Sequence, residues 1–181
     1  MEILDEPLTL PPGQPIWSTV LRYGLYCGLA LILGVQALFH LNFQSTSVSG
    51  ILIHLLIIMI SCLGISYLAI KKQRNILDHG FIRFGKAALL VVCTICFGFL
   101  VLAVWNYFFI NFFAPDYLQT IKDQTKANWQ NQLSATDLER SLAEIDSMKN
   151  FSSILKGYMI HEIPLGVLGS IIVAFLMARK R

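Results

Sequence analysis

The sequence predicts an all-α integral membrane protein: four transmembrane helices, with a helical hairpin in the outward loop between the third and fourth. Three observations carry that prediction. Four apolar runs, at about 20–39, 51–70, 87–110 and 160–177, come within two residues of span length or exceed it. Crossing the ~30 Å hydrocarbon layer takes ~20 apolar residues, because a helix rises 1.5 Å per residue. Hydrophobic residues make up 55% of the 181, which leaves no room for a soluble domain beside four spans, so residues 1–181 read as a single domain. Lysine and arginine, finally, gather at alternate ends of the runs.

The N-terminus carries Glu2, Asp5 and Glu6 where a secretory signal carries Lys or Arg, and no small-residue cleavage site ends the first run. The first span is therefore expected to be retained. It opens with Trp17 and Tyr23 at headgroup level and holds Gly24-x-x-x-Gly28, with Ala30-x-x-x-Gly34 a turn later. Lipid tails are as apolar as leucine, so helices associate through close contact, which small side chains permit. The fourth span repeats the device in Gly166, Ser170 and Ala174, with Gly169 beside them, and the two small-residue faces are expected to pack on each other or to form a homo-oligomer seam. Pro164, in the first turn of that span, reads as a helix-start device because a missing N–H costs little there.

Between the second and third spans lie Lys71, Lys72, Arg74, Arg83 and Lys86 against one acid, Asp78, and the tail adds Arg179, Lys180 and Arg181. Short basic loops stay cytoplasmic, which puts both termini inside and residues 111–157 outside. Arg22 and Lys86 read as headgroup anchors. An aromatic run, Trp105, Tyr107, Phe108, Phe109, Phe112 and Phe113, marks the outer end of the third span. In the outward segment, 114–157, one helical pattern runs from about Asp116 to Gln132 with Leu118, Ile121 and Trp129 near one face. A second follows the capping-box spacing Thr136-Asp-Leu-Glu139, with Leu138, Leu142, Ile145 and Met148 at helical intervals. Apolar stripes of this length need another surface: the outer end of the bundle, the lipid interface, or a membrane or periplasmic partner.

The net charge of +3 makes no continuous basic stripe, so no nucleic-acid partner is expected. The four cysteines, Cys27, Cys62, Cys93 and Cys96, all sit inside apolar runs and read as packing residues, although Cys93 and Cys96 share a helix face. Candidate chemistry is confined to polar groups in the outer third: Gln36 and His40, His54, Asn106, and His161 with Glu162. Converging imidazoles and a carboxylate can bind a divalent metal or relay protons. Each also lies near a boundary where polar side chains snorkel to water. No spacing makes a local metal motif, and no phosphate loop, nucleophile elbow or inverted repeat is present, so neither a cofactor nor an enzymatic activity is expected.

The stretch His79-Gly-Phe-Ile-Arg-Phe84-Gly85-Lys86-Ala87 leading into the third span resembles that of a family of small bacterial membrane proteins, domain of unknown function 4199. The resemblance continues through Trp105-Asn-Tyr-Phe-Phe-Ile-Asn-Phe-Phe-Ala-Pro-Asp116-Tyr117, the charged outer helices, Ile163-Pro-Leu-Gly166 to Ser170, and the basic tail. It implies a four-span protein of the inner membrane of a Gram-negative bacterium, and brings no activity or catalytic residue. Physically, Gly85 reads as a point of close backbone approach at the cytoplasmic edge. The expectation is a non-enzymatic accessory, assembly or structural subunit that interacts through the outward hairpin. The alternative is a small channel or transporter component built on the outer polar layer.

Overall fold

A computed structural model describes residues 15–41, 47–78 and 80–178, so the readings placed on Glu2, Asp5, Glu6, His79, Arg179, Lys180 and Arg181 lie outside the described residues. Every regular element among the described residues is helical: α1 (Trp17–His40), α2 (Val48–Lys72), α3 (Phe84–Phe108), α4 (Tyr117–Trp129), α5 (Ala135–Ser147), α6 (Phe151–Gly157) and α7 (Ile163–Met177). Four helical runs are long and apolar enough to cross a membrane: Trp17–His40, Val48–Ile76, Phe84–Phe113 and Phe151–Met177. At 24 to 30 residues they measure about 36–45 Å, so they outrun the ~30 Å hydrocarbon layer. A helix has no reason to stop where its apolar run stops, because its backbone groups still need partners. α2, for example, begins where the Ser47 hydroxyl accepts the Gly50 N–H at 3.1 Å.

Three of these runs contain a π turn: Gln73–Leu77 closing α2, Phe109–Phe113 closing α3, and Tyr158–Glu162 joining α6 to α7. The last has a local cause. Pro164 has no N–H for the Ile160 carbonyl, and its ring crowds that carbonyl. The chain widens instead, and the Ile163 N–H reaches back to Tyr158 O. Pro164 does sit in the first turn of α7, but α7 continues a helix begun at Phe151, so the proline marks a widened turn and not a fresh start.

α1 packs most extensively on α3 and also on α2, while α7 packs on α2 and α3. This corrects the expected pairing of the first and fourth spans. A Cβ on Gly24 would lie 2.6 Å from Phe97 Cδ1 and 3.1 Å from the Thr94 carbonyl; one on Gly28 would lie 2.6 Å from Val101 Cβ and 2.9 Å from the Gly98 carbonyl. Gly98 of α3 completes the contact: its Cβ would meet Cys27 Cβ at 2.9 Å. Gly34 faces Ile57 of α2, Gly166 faces Cys62 and Ile95, and Ser170 and Ala174 are fully buried on the same stripe. The small-residue faces are thus used within the subunit. The core they enclose runs through Leu31, Ile58, Cys62, Leu90, Ile95 and Phe99. Cys27 and Cys62 meet inside it, whereas Cys96 of the C-x-x-C pair is exposed.

A second cluster joins the outward segment to one end of the bundle: Ala103 and Ile110 pack with Leu118, Ile145 and Ile154, flanked by Ile121, Leu142 and Met148. The apolar stripes therefore lie on the bundle, with α4 against α5 and Lys122 paired to Asp146 at 2.5 Å. The segment holds three helices and not two, since α6 continues into the fourth span. The start of α5 also moves: Ser134 Oγ accepts the Asp137 N–H at 3.2 Å, so the cap lies two residues before Thr136. The outward segment thus makes a capped end of the bundle, opposite a basic end.

Candidate functional site

At the capped end the π turn Tyr158–Glu162 faces α2 and α3. Tyr158 and Glu162 are four residues apart on one helix, so both reach the same side. Glu162 Oε1 lies 3.4 Å from His54 Nε2 of α2. Its other oxygen, Oε2, is enclosed and has no hydrogen-bond partner among the described residues. Asn106 of α3 donates its amide N–H to the Tyr158 hydroxyl. A second asparagine, Asn111, donates to the Tyr107 carbonyl at 2.9 Å and the Lys149 carbonyl at 3.3 Å, which ties the end of α3 to the turn after α5.

A cleft of about 400 Å³ opens between the end of α3, the end of α5 and the α6–π turn. Asn106, Tyr158 and Glu162 line it together with Glu144, Lys156 and His161. Of the six predicted polar residues, Asn106, His161 and Glu162 line the cleft, and His54 joins them through the carboxylate. Gln36 and His40 do not line it. His40 is exposed, its ring edge-on to Phe39, and Gln36 has an enclosed amide nitrogen without a partner among the described residues. No group of three or more His, Cys, Asp or Glu side chains among the described residues is arranged to hold a metal ion.

Sequence reasoning missed Tyr158, Lys156 and Glu144. The signal for Tyr158 was present, since it stands one turn before Glu162, but a span begun at 160 excludes it.

The basic end carries a second polar group. Gln73, fully buried in its π turn, accepts from the Thr19 hydroxyl of α1 at 2.8 Å and donates to Asp78 Oδ1 at 3.2 Å. Lys86 Nζ meets the same Asp78 oxygen at 2.8 Å. Lys86 is thus paired within the protein and does not simply reach for a lipid phosphate. Arg74 donates to the Met177 carbonyl at 3.2 Å, which closes the end of α7, and the Lys71 ammonium lies 5.9 Å from the Tyr67 ring centre. Lys72 is half-buried and Arg83 exposed. Arg22 lies against Tyr26, Nε to hydroxyl 3.1 Å. The glycine this edge requires is Gly80, at φ +92°, and not Gly85, around which a Cβ would meet nothing within 4 Å. At positive φ only a glycine avoids the Cβ clash, and Gly80 N–H then closes on the Arg74 carbonyl at 2.7 Å.

A family model described as a protein of unknown function (DUF4199) matches residues 22–179. No curated protein matches the chain, and no solved structure does.

Proposed function

The chain belongs to the DUF4199 family, and we propose that it works in the inner membrane as a non-enzymatic accessory or assembly subunit whose interacting surface is the cleft around Glu162, framed by α4–α6. Both termini are cytoplasmic in this reading and the capped end faces outward. The charge asymmetry supports that orientation, with Lys71, Lys72, Arg74, Arg83 and Lys86 all at the opposite end. The observation that carries the assignment of the surface is the Glu162 carboxylate. One oxygen is held by His54, the other is enclosed without a partner among the described residues, and the Glu162 side chain lines an open cleft. Buried polar atoms are nearly always paired, so such an atom points to a donor from outside the chain. The apolar stripe of α5 is a poorer docking surface because Ile145 and Leu142 already pack on the bundle.

The test is extraction from native membranes at natural expression, with quantitation of whatever co-purifies stoichiometrically. The expected result is a component lost from Glu162→Gln and retained by a control on the exposed apolar surface, Leu176→Ala. A component held equally by both variants, or none at all, would overturn the reading.

A transport component is the second reading. Buried hydroxyls of Ser66, Thr94 and Ser170 have no partner among the described residues and lie within the bundle between the two polar ends. Ion or proton flux in proteoliposomes that is abolished by Glu162→Gln would favour it over the accessory role.

A further inference from the structure

The ionisable groups around the cleft are ordered by depth. Glu162 is the inner one, with its side chain 20% exposed, while Lys156, His161 and Glu144 line the same space from exposed positions. Two acids and two bases suit neither a bare cation, which would meet Lys156, nor an anion, which would meet both carboxylates. They suit a ligand carrying both signs. Asn106 gives its amide N–H to Tyr158, and its amide oxygen is a further acceptor on a residue that lines the cleft with Glu162, whose Oε2 has no partner among the described residues. A donor with several N–H groups is therefore favoured at the inner end.

The position of the cleft favours a lipid over a soluble molecule. It opens where the third and fourth candidate spans end, at the level along the third span of the stacked rings of Trp105, Phe109 and Phe113, the kind of aromatic group that sits at headgroup level. Its apolar lining, Ile110 and Ile154, continues to Ile160, which is 55% exposed on the bundle surface. Acyl chains can therefore leave the cleft along the surface that faces the bilayer, and the volume is within the range of small-molecule sites.

We propose that the cleft around Glu162 holds the headgroup of a zwitterionic aminophospholipid, its primary ammonium on the Glu162 carboxylate and its phosphate on Lys156 and His161 at the mouth. The proposal rests on the reading of this cleft as the interacting surface and names its occupant. A trimethylated ammonium has no N–H to give, so the site distinguishes phosphatidylethanolamine from phosphatidylcholine.

The test uses the full chain in detergent micelles, titrated with phosphatidylethanolamine, phosphatidylcholine or phosphatidylglycerol and read by native mass spectrometry. The expected preference for phosphatidylethanolamine is about tenfold or more, the scale of one charge-assisted hydrogen bond. Glu162→Gln keeps the size of the side chain and a bond to His54, and should abolish the preference over phosphatidylcholine. Lys156→Ala should weaken binding of the phosphatidylethanolamine. Should Glu162→Gln fail to fold, titrating the wild type with mono-, di- and trimethylated headgroups asks the same question, with a fall expected at the trimethyl step.

Equal retention of all three lipids overturns the proposal, as does soluble glycerophosphoethanolamine competing at the concentration of the intact lipid. If lipid preference is absent but a co-purifying component still depends on Glu162 in native membranes, the occupant is wrong and the cleft reading stands. If both are absent, both fall.

Discussion

Asp78, the lone acid among five bases, receives both Gln73 and Lys86 on its Oδ1. Lys86 is eight residues away in sequence across the Gly80 turn, and Thr19 reaches the network through Gln73 from another helix. No local periodicity links these positions. Asp78→Ala removes an acceptor shared by two donors, one of them fully buried, and should destabilise the protein by about 1–3 kcal/mol. Unfolding by steric trapping in bicelles would measure it. The Asp78→Ala/Lys86→Ala double variant should lose less than the sum of the singles, because the two residues are in direct contact. Strict additivity would show that the ion pair contributes nothing.

At the scale of the element, the glycines divide into those that set helix distance and those that do not. The x-x-x spacing of Gly24 and Gly28 is legible as a close-packing face, but a small face does not say which helix it meets. Gly98 decides that, because its own missing side chain lets α1 approach α3 until Gly28 lies against a backbone carbonyl. Gly28→Val should therefore cost about 1–3 kcal/mol through overpacking, whereas Gly85→Ala, in open space at the start of α3, should be neutral or stabilise by up to ~1 kcal/mol. Thermal unfolding of both variants in the same detergent would check the pair. Equal destabilisation would contradict the α1–α3 packing. The π turn before Pro164 belongs to this scale too. The proline was visible, but whether it starts a helix or widens one depends on whether residues upstream are held helical, and α6 is held by Ile154 in the capped-end cluster.

For the whole molecule, the question is how the cap and the bundle depend on each other. Ile145 and Leu118 carry the contact with Ala103 and Ile110, so Ile145→Ser should release α4–α5 while the four spans stay folded. Limited proteolysis of the variant in membranes should cut between residues 117 and 150 and leave the bundle intact. Protection equal to that of wild type would mean that the cluster does not hold the cap. Topology is tested by Asn131→Cys, which should react with a membrane-impermeant thiol reagent added outside intact spheroplasts. Labelling only after lysis would invert the proposed orientation.

Membrane class, number of spans and all-helical architecture are legible in the sequence, because bilayer thickness imposes a length on each apolar run and any backbone crossing it must pair internally. The sequence also puts Gln36, His40, His54, Asn106, His161 and Glu162 near one depth, since depth is counted in residues along a helix of known rise. Which faces meet is settled by packing in three dimensions: α1 lies on α3, Glu162 turns to His54 while His40 stays exposed, and Lys86 is held by Asp78. In a membrane both the lipid-facing and the inward-facing surfaces of a helix are mostly apolar, so hydrophobicity cannot say which face turns inward. That choice is made by shape and by the few polar groups that must find one another.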